Sequence, residues 1–429
     1  MLGSLYRHGS RIDMQTLIVR ITLALSLMVI AGAGQAADKA DPALEHARRL
    51  LGSTILIDGH NDLPWTIRTD KTTPGSVEQY DLRGTVSGQT DIARLREGGV
   101  GAQFWSVYIP GELPGHFART QLEQIDIARR MIERYPDALQ VSTTAADIRA
   151  ARKNGKVASL LGIEGGHAIE NSLGALRTYY DLGVRYMTLT HNVHLDWADS
   201  AAFPSVHGGL TPFGEQVVQE MNRLGMLVDL SHVATETMDD ALRVSKAPVI
   251  FSHSSSRAIC DVPRNVPDDI LVRLRQNGGV IMITFVAGFI DPAIGAVQKP
   301  AMDEFKRRSQ GKSIEEQQQL RDEIFGKLQL PRTSIAKVAD HFDHVRKVAG
   351  VEHIGIGGDF DGNSDWPEGL SDVSMYPNLF AELIRRGWTD RELELVAGGN
   401  VLRVLEQAES VARSMQNQPA PVGLATSMN

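Results

Sequence analysis

The sequence predicts an α/β protein, specifically a (β/α)8 barrel, and three observations lead there. Eight short apolar or β-branched runs recur along the chain, segments of helical period separate them, and six of the eight runs end on a histidine or a carboxylate. Alternating strands and helices build parallel sheets, and in a barrel the functional side chains stand at the carboxyl ends of the strands. A doubly wound sheet stays open as an alternative at this stage, because periodicity does not order strands in space.

The first run, TILID (54–58), carries Ile55, Leu56 and Ile57 directly into Asp58, His60, Asn61 and Asp62. The second, GAQFWSVYI (101–109), ends on nothing ionisable, and the third, VASLLGIE (157–164), ends on Glu164 among Gly162, Gly165 and Gly166. RYMTLTH (185–191), MLVDLSH (226–232) and PVIFSHS (248–254) end on His191, His232 and His253. GVIMITF (279–285) again offers nothing ionisable, while HIGIGGDF (353–360) delivers Asp359. The intervening TPFGEQVVQEMNRLG (211–225) has Pro212 early and Gly225 at its end, as a helix prefers. A lone strand-end histidine is usually a capping or core residue, but six such groups at one rim describe a site.

The bulk properties agree. With 429 residues, 42% of them hydrophobic, the chain can bury a large core. Its net charge of −8 and the lack of a basic run exclude nucleic acid as a partner. Arg7, Arg11 and Arg20 precede or enter the apolar run ITLALSLMVIAGAG, which ends in small residues, so residues 1–36 read as a secretory signal peptide, with Met1 or Met14 as the start. Export to the periplasm or the medium follows. No cysteine stands directly after the apolar run and no hydrophobic tail closes the chain, so no membrane attachment is expected once the signal is removed. The mature part divides into a barrel domain at 37–412, with an insertion near 287–333, and a flexible tail at 413–429. Cys260, the single cysteine, reads as a buried apolar residue.

Imidazoles and carboxylates without a thiolate suit Zn²⁺, Mn²⁺ or Co²⁺, with zinc the first choice. In an extended segment, His60 and Asp62 share a face and could grip one ion. His232 and His253 could grip a second, and Glu164 could bridge both, its glycine neighbours allowing close approach. Two ions sharing one water would lower its pKa and yield a nucleophile near neutrality.

The motifs DGHNDLPW (58–65), GIEGGHAI (162–169), YMTLTHN (186–192), LVDLSHV (227–233), VIFSHSS (249–255), RNVPDD (264–269) and IGGDFDG (356–362) resemble, in order, those of the membrane (renal) dipeptidase family of the amidohydrolase superfamily. The resemblance implies two Zn²⁺ per chain held by His60, Asp62, Glu164, His232 and His253. It implies that His191 stabilises the oxyanion, Arg264 binds the C-terminal carboxylate of a dipeptide, and Asp359 handles protons at the bridging water. It also implies a homodimer and dipeptide substrates that include those with a C-terminal D-residue. Another amidohydrolase activity on the same metals, acting on N-acyl-D-amino acids, β-lactams or lactones, is the enzymatic alternative. A non-catalytic binding protein is the other.

Several groups read as bystanders. DFDGNSD (359–365) lacks the glycine and glutamate of a calcium loop. His341 and His344 read as an exposed helix face, His167 and His194 as neighbours of the site, and Trp65 and Trp197 as pocket wall or core. VAGFI (286–290) is expected at the pocket, and the polar helical stretch after it reads as a solvated decoration, a lid or a dimer element.

Overall fold

Side chains along a strand point alternately to opposite faces, and the apolar runs use that alternation to feed two hydrophobic clusters at once. Leu56, Trp105, Leu161, Met187, Val228, Phe251 and Ile281 enter one cluster with the surrounding helices. Their chain neighbours Ile57, Phe104, Leu160, Tyr186, Leu227, Ile250 and Met282 enter the other. The second cluster fills the inside of a barrel.

The computed structural model describes residues 41–421, apart from 113–114, 310–311 and 313. The expected signal peptide, 1–36, and the end of the expected tail, 422–429, lie outside the described residues. The strands are β1 (Leu56–Asn61), β2 (Val100–Ser106), β3 (Leu139–Val141), β4 (Val157–Glu164), β5 (Val184–Thr188), β6 (Leu227–Asp229), β7 (Ile250–Ser254), β8 (Val280–Ile283) and β9 (Ile354–Ile356). Sheet order runs β2-β1-β9-β8-β7-β6-β5-β4, and β2 also pairs with β4, which closes eight parallel strands into the expected barrel. The ninth strand, β3, is absent from the sequence reading. It is three residues long and pairs with the first half of β4.

Helices return the chain between strands as the sequence suggests. Pro212–Leu224 begins after Thr211, whose side chain accepts from Gly214 N, and ends at Gly225 with φ 85°. Asp268–Asn277 starts behind Pro267 with two acids in its first turn. The last helix, Asn400–Met415, runs past the expected boundary at 412 and gives Val401, Val404 and Leu405 to the inner cluster. Gly398, just before it, lies against Ile55 O and Ile57, at the amino ends of the strands. That end of the barrel is therefore filled, and the carboxyl end is where a site can open.

Within the expected insertion, helices Pro292–Ser309 and Ile314–Phe325 pack through Ala301, Leu320 and Ile324. Lys306 donates to Ala202 O and stands over the Phe203 ring, so the stretch has its own apolar seam and an anchor. No described helix is long and apolar enough to cross a membrane.

The exposed face expected for His341 is wrong. The residue is fully buried on helix Ile335–Val348, where Nδ1 accepts from Ser256 N at 3.0 Å and Nε2 donates to Ile290 O at 3.1 Å. Its partners lie far away in sequence, which is why local pattern missed it. Burial pushes the imidazole down to about 4. The unfolded chain titrates near pH ~6.5, so between that value and about pH 4 it binds more protons than the folded chain, and stability falls as pH falls. His341→Asn, which does not titrate, should remove about 1.4 kcal/mol per pH unit from the slope of unfolding free energy in that window. Chemical denaturation at a series of pH values measures it, and an unchanged slope would contradict the assignment.

Candidate metal centre

Regular alternation would send His60 outward, since Ile57 belongs to the inner cluster. The pairing of β1 with β2 slips between Asp58 and Asn61, and an extra residue in a ladder re-aims the side chain it carries. Asp58 holds the slip. Its carboxylate accepts from His60 N at 2.8 Å, from Gly358 N and from the Tyr376 hydroxyl. Burial pushes that carboxyl up to about 6 despite these donors. Asp62 then opens helix Leu63–Arg68 at φ −93° and ψ 21°. The extended His-x-Asp segment expected from the sequence holds for His60 and Asn61, which close β1, and ends at Asp62; the two side chains meet, with Nε2 and Oδ2 3.2 Å apart.

The same device recurs in β7, whose register with β8 shifts between Phe251 and Ser254, around His253. Glu164 needs none, because it follows Leu160 and Gly162 on the inward register of β4. His191, His232 and Asp359 lie past the ends of β5, β6 and β9. His232 and Asp359 have φ 68° and 64°, a left-handed conformation uncommon outside glycine.

These turns bring the groups together around Glu164. Its Oε1 lies 2.9 Å from His232 Nε2, 3.4 Å from His253 Nε2 and 3.7 Å from His191 Nε2. Its Oε2 lies 3.5 Å from His60 Nε2, which is 3.9 Å from Asp359 Oδ1. Among the described residues, three overlapping sets have metal-ligand spacing: His60–Glu164–His253, Glu164–His191–His232 and His60–Asp62–Asp359. Arg264 stands beside them. Among the described residues, its terminal nitrogens reach only Ser254 Oγ at 3.4 Å and His253 O at 3.3 Å, and its buried Nε has no partner.

Electrostatics fit a cation. Burial opposes charge on Glu164, yet the surrounding imidazoles hold its carboxyl well below the usual range. Burial depresses His232 and His253, which keeps both rings neutral. His232 Nδ1 donates to the side-chain oxygen Oδ1 of Asn192 at 3.1 Å, which leaves Nε2 bare, 2.9 Å from His253 Nε2. Bare nitrogens aimed at a carboxylate, with the buried Asp62 Oδ1 unpartnered, form a nitrogen–oxygen donor set that suits zinc. Burial raises the Asp359 carboxyl well above its usual range, with Asp62 and Glu164 adding to the effect, and lowers the Arg264 guanidinium to about 10.

His167 is buried with Nε2 donating to Ile109 O, and His194 Nδ1 accepts from Ser200 N; neither joins a ligand set. Trp197 is core, whereas Trp65 stands edge-on to Tyr108, which stands edge-on to His191. The 286–290 run reaches the site through Phe289, over which Arg264 lies. The DFDGNSD acids do not form a set of their own, since Asp359 joins His60 and Asp62 while Asp361 accepts from Gln89 N. The glycines around Glu164, expected to allow close approach, stand where aromatic rings pack against the backbone. A Cβ at Gly162 would strike the Tyr186 ring, one at Gly165 the His167 ring, and one at Gly166 the Trp197 ring. They admit aromatic rings, and the Tyr186 hydroxyl reaches His60 Nδ1 at 2.9 Å.

A model of the membrane dipeptidase family, peptidase family M19, matches residues 44–419. Dipeptidase 3 of Mus musculus is 43% identical over 390 residues, spanning 89% of this chain and 70% of its own. Among solved structures, the probable dipeptidase PvdM of Pseudomonas aeruginosa shares the fold with a TM-score of 0.75 at 24% identity, over 86% of this chain and 99% of that one. A metallo peptidase of Rhodobacter sphaeroides, liganded with a phosphinate mimic of the dipeptide L-Ala-D-Ala, aligns with a TM-score of 0.68 at 25% identity, over 83% and 99%.

Gly162→Ala should displace the Tyr186 ring and cost about 1–3 kcal/mol of stability. Gly52→Ala, in a helix with nothing near its Cβ, should be neutral or stabilising. Equal melting temperatures for the two variants would contradict the packing account.

Proposed function

The chain belongs to the membrane dipeptidase family, peptidase family M19, and from that premise we propose that its rim holds two Zn²⁺ ions and cleaves dipeptides with the residues gathered there. His60 and Asp62 hold one ion, His232 and His253 the other, and Glu164 serves both. The observation that carries this reading is the division of Glu164, whose Oε2 faces His60 while Oε1 faces His232 and His253. When bound, the ions supply Lewis acidity and an activated water.

The remaining steps fall to side chains. Arg264 has spare donors in a buried place, which suits a fork to the C-terminal carboxylate of the substrate. His191, packed edge-on against Tyr108, donates to the carbonyl oxygen as it gains negative charge. Asp359, whose carboxyl burial holds high, keeps a proton within reach of the leaving amine. An anchor for the C-terminal carboxylate and a centre that polarises the scissile carbonyl together favour two-residue substrates. The L-Ala-D-Ala mimic on the Rhodobacter sphaeroides relative supports acceptance of a D-residue at the second position. Export rests on residues 1–36 and a homodimer on family resemblance.

Glu164→Ala should lose both ions together, read as metal per chain by elemental analysis, and dipeptide turnover should vanish with them. Retained metal and turnover would defeat the shared-carboxylate reading. Arg264→Ala should raise KM for dipeptides by about tenfold or more, as expected for a lost charge-assisted hydrogen bond of roughly 1.5–3 kcal/mol, while hydrolysis of the corresponding dipeptide amides changes little. Equal losses on both substrates would remove Arg264 from the carboxylate.

A further inference from the structure

Below the histidines, the barrel encloses a carboxylate that the proposed reaction does not use. Asp229 ends β6 on the inward register of Leu227 and is fully buried. Its Oδ1 accepts from Ser231 N at 3.1 Å and Ser252 N at 2.8 Å, and its Oδ2 from Thr188 Oγ1 at 2.5 Å and Ser252 Oγ at 2.6 Å. Each oxygen receives two donors, so the carboxylate acts as acceptor alone.

Ser252 has one hydroxyl proton, and it points to Asp229. The Ser231 Oγ contact at 3.5 Å is too long to compete. Towards His253 Nδ1, 2.9 Å away, Ser252 Oγ can therefore only accept. The ring proton sits on Nδ1, and Nε2 presents a lone pair to Glu164. His232 and His60 are oriented differently, by the Asn192 carbonyl and the Tyr186 hydroxyl.

We propose that Asp229 is a positioning residue: through Ser252 Oγ it fixes His253 in the Nδ1–H form and keeps Nε2 bare for a divalent cation. Hydrogen-bonded partners behind a ligand imidazole set its tautomer and strengthen it as a donor. The inference rests on His253 being a metal ligand, and the experiment separates the two.

Asp229→Asn is nearly isosteric. With its carbonyl kept towards the two backbone amides, its NH₂ faces Ser252, the Ser252 proton turns to His253 Nδ1, and the ring proton moves to Nε2. In the full chain, zinc affinity measured by competition with a chromophoric chelator should fall about 10–100-fold. The ¹⁵N spectrum of labelled histidine in metal-free protein should show one ring changing from Nδ1–H to Nε2–H. Adding Ser252→Ala to Asp229→Asn removes the reversed hydroxyl and should recover part of the affinity, whereas a structural role alone makes the double variant worse. Should Asp229→Asn not fold, Ser252→Ala alone still reports, because it frees the tautomer and should weaken zinc while Thr188 and both backbone amides remain on Asp229. Parental zinc affinity in Asp229→Asn, a double variant no better than it, or an unchanged ring signal overturns the inference. Unaltered zinc binding in His253→Ala overturns the ligand reading beneath it.

Discussion

A carboxylate enclosed by imidazoles in a place from which water is largely removed sets the terms for this structure. Removing charge from water is expensive unless opposite charge, that of a bound cation included, compensates for it nearby. Glu164 meets that condition only because four strands and the loops beyond them converge on it from different directions, each bringing a ring nitrogen within 3.7 Å. Closing the sheet into a barrel provides the convergence, whereas an open sheet would spread the same residues along an edge. The fold and the site are thus one requirement seen at two scales.

Convergence alone would still aim two of the histidines the wrong way. In β1 and β7 the chain breaks its own register to turn His60 and His253 inward, and past β6 and β9 it adopts left-handed backbone at His232 and Asp359. These departures are stabilised from behind. Asp58 ties the β1 irregularity to Gly358 and Tyr376, and Asp229 ties β6 to β5 and β7 through Thr188 and Ser252. Both acids are buried and neither belongs to a ligand set. Their role is to make irregular backbone tolerable where the chemistry needs it.

That division explains what could be read beforehand. The eight barrel strands, the helix 211–225 and the proposed ligands were legible because apolar runs and strand-end histidines are local signals. The aim of those side chains was not. An extended His-x-Asp placed His60 and Asp62 together but left out the register slip that turns His60 inward, because that slip is held by a carboxylate contact with a residue 300 positions away. His341 misled for a similar reason, its partners Ser256 and Ile290 being distant in sequence. Tyr186 and the glycines at 162, 165 and 166 needed the structure, since the space a ring requires is a property of two strands together. Asp229 carried one available signal, an acid inside an apolar run, which the strand-end histidine three residues later overshadowed.

The barrel is stoppered at its amino end by the last helix, with Val401, Val404 and Leu405 wedged among the strand side chains. Traffic consequently passes the opposite end of the barrel. A peptide enters by the mouth through which both of its halves must depart, so each turnover ends with an evacuation, and amino acids accumulating outside compete for the same threshold as the next peptide.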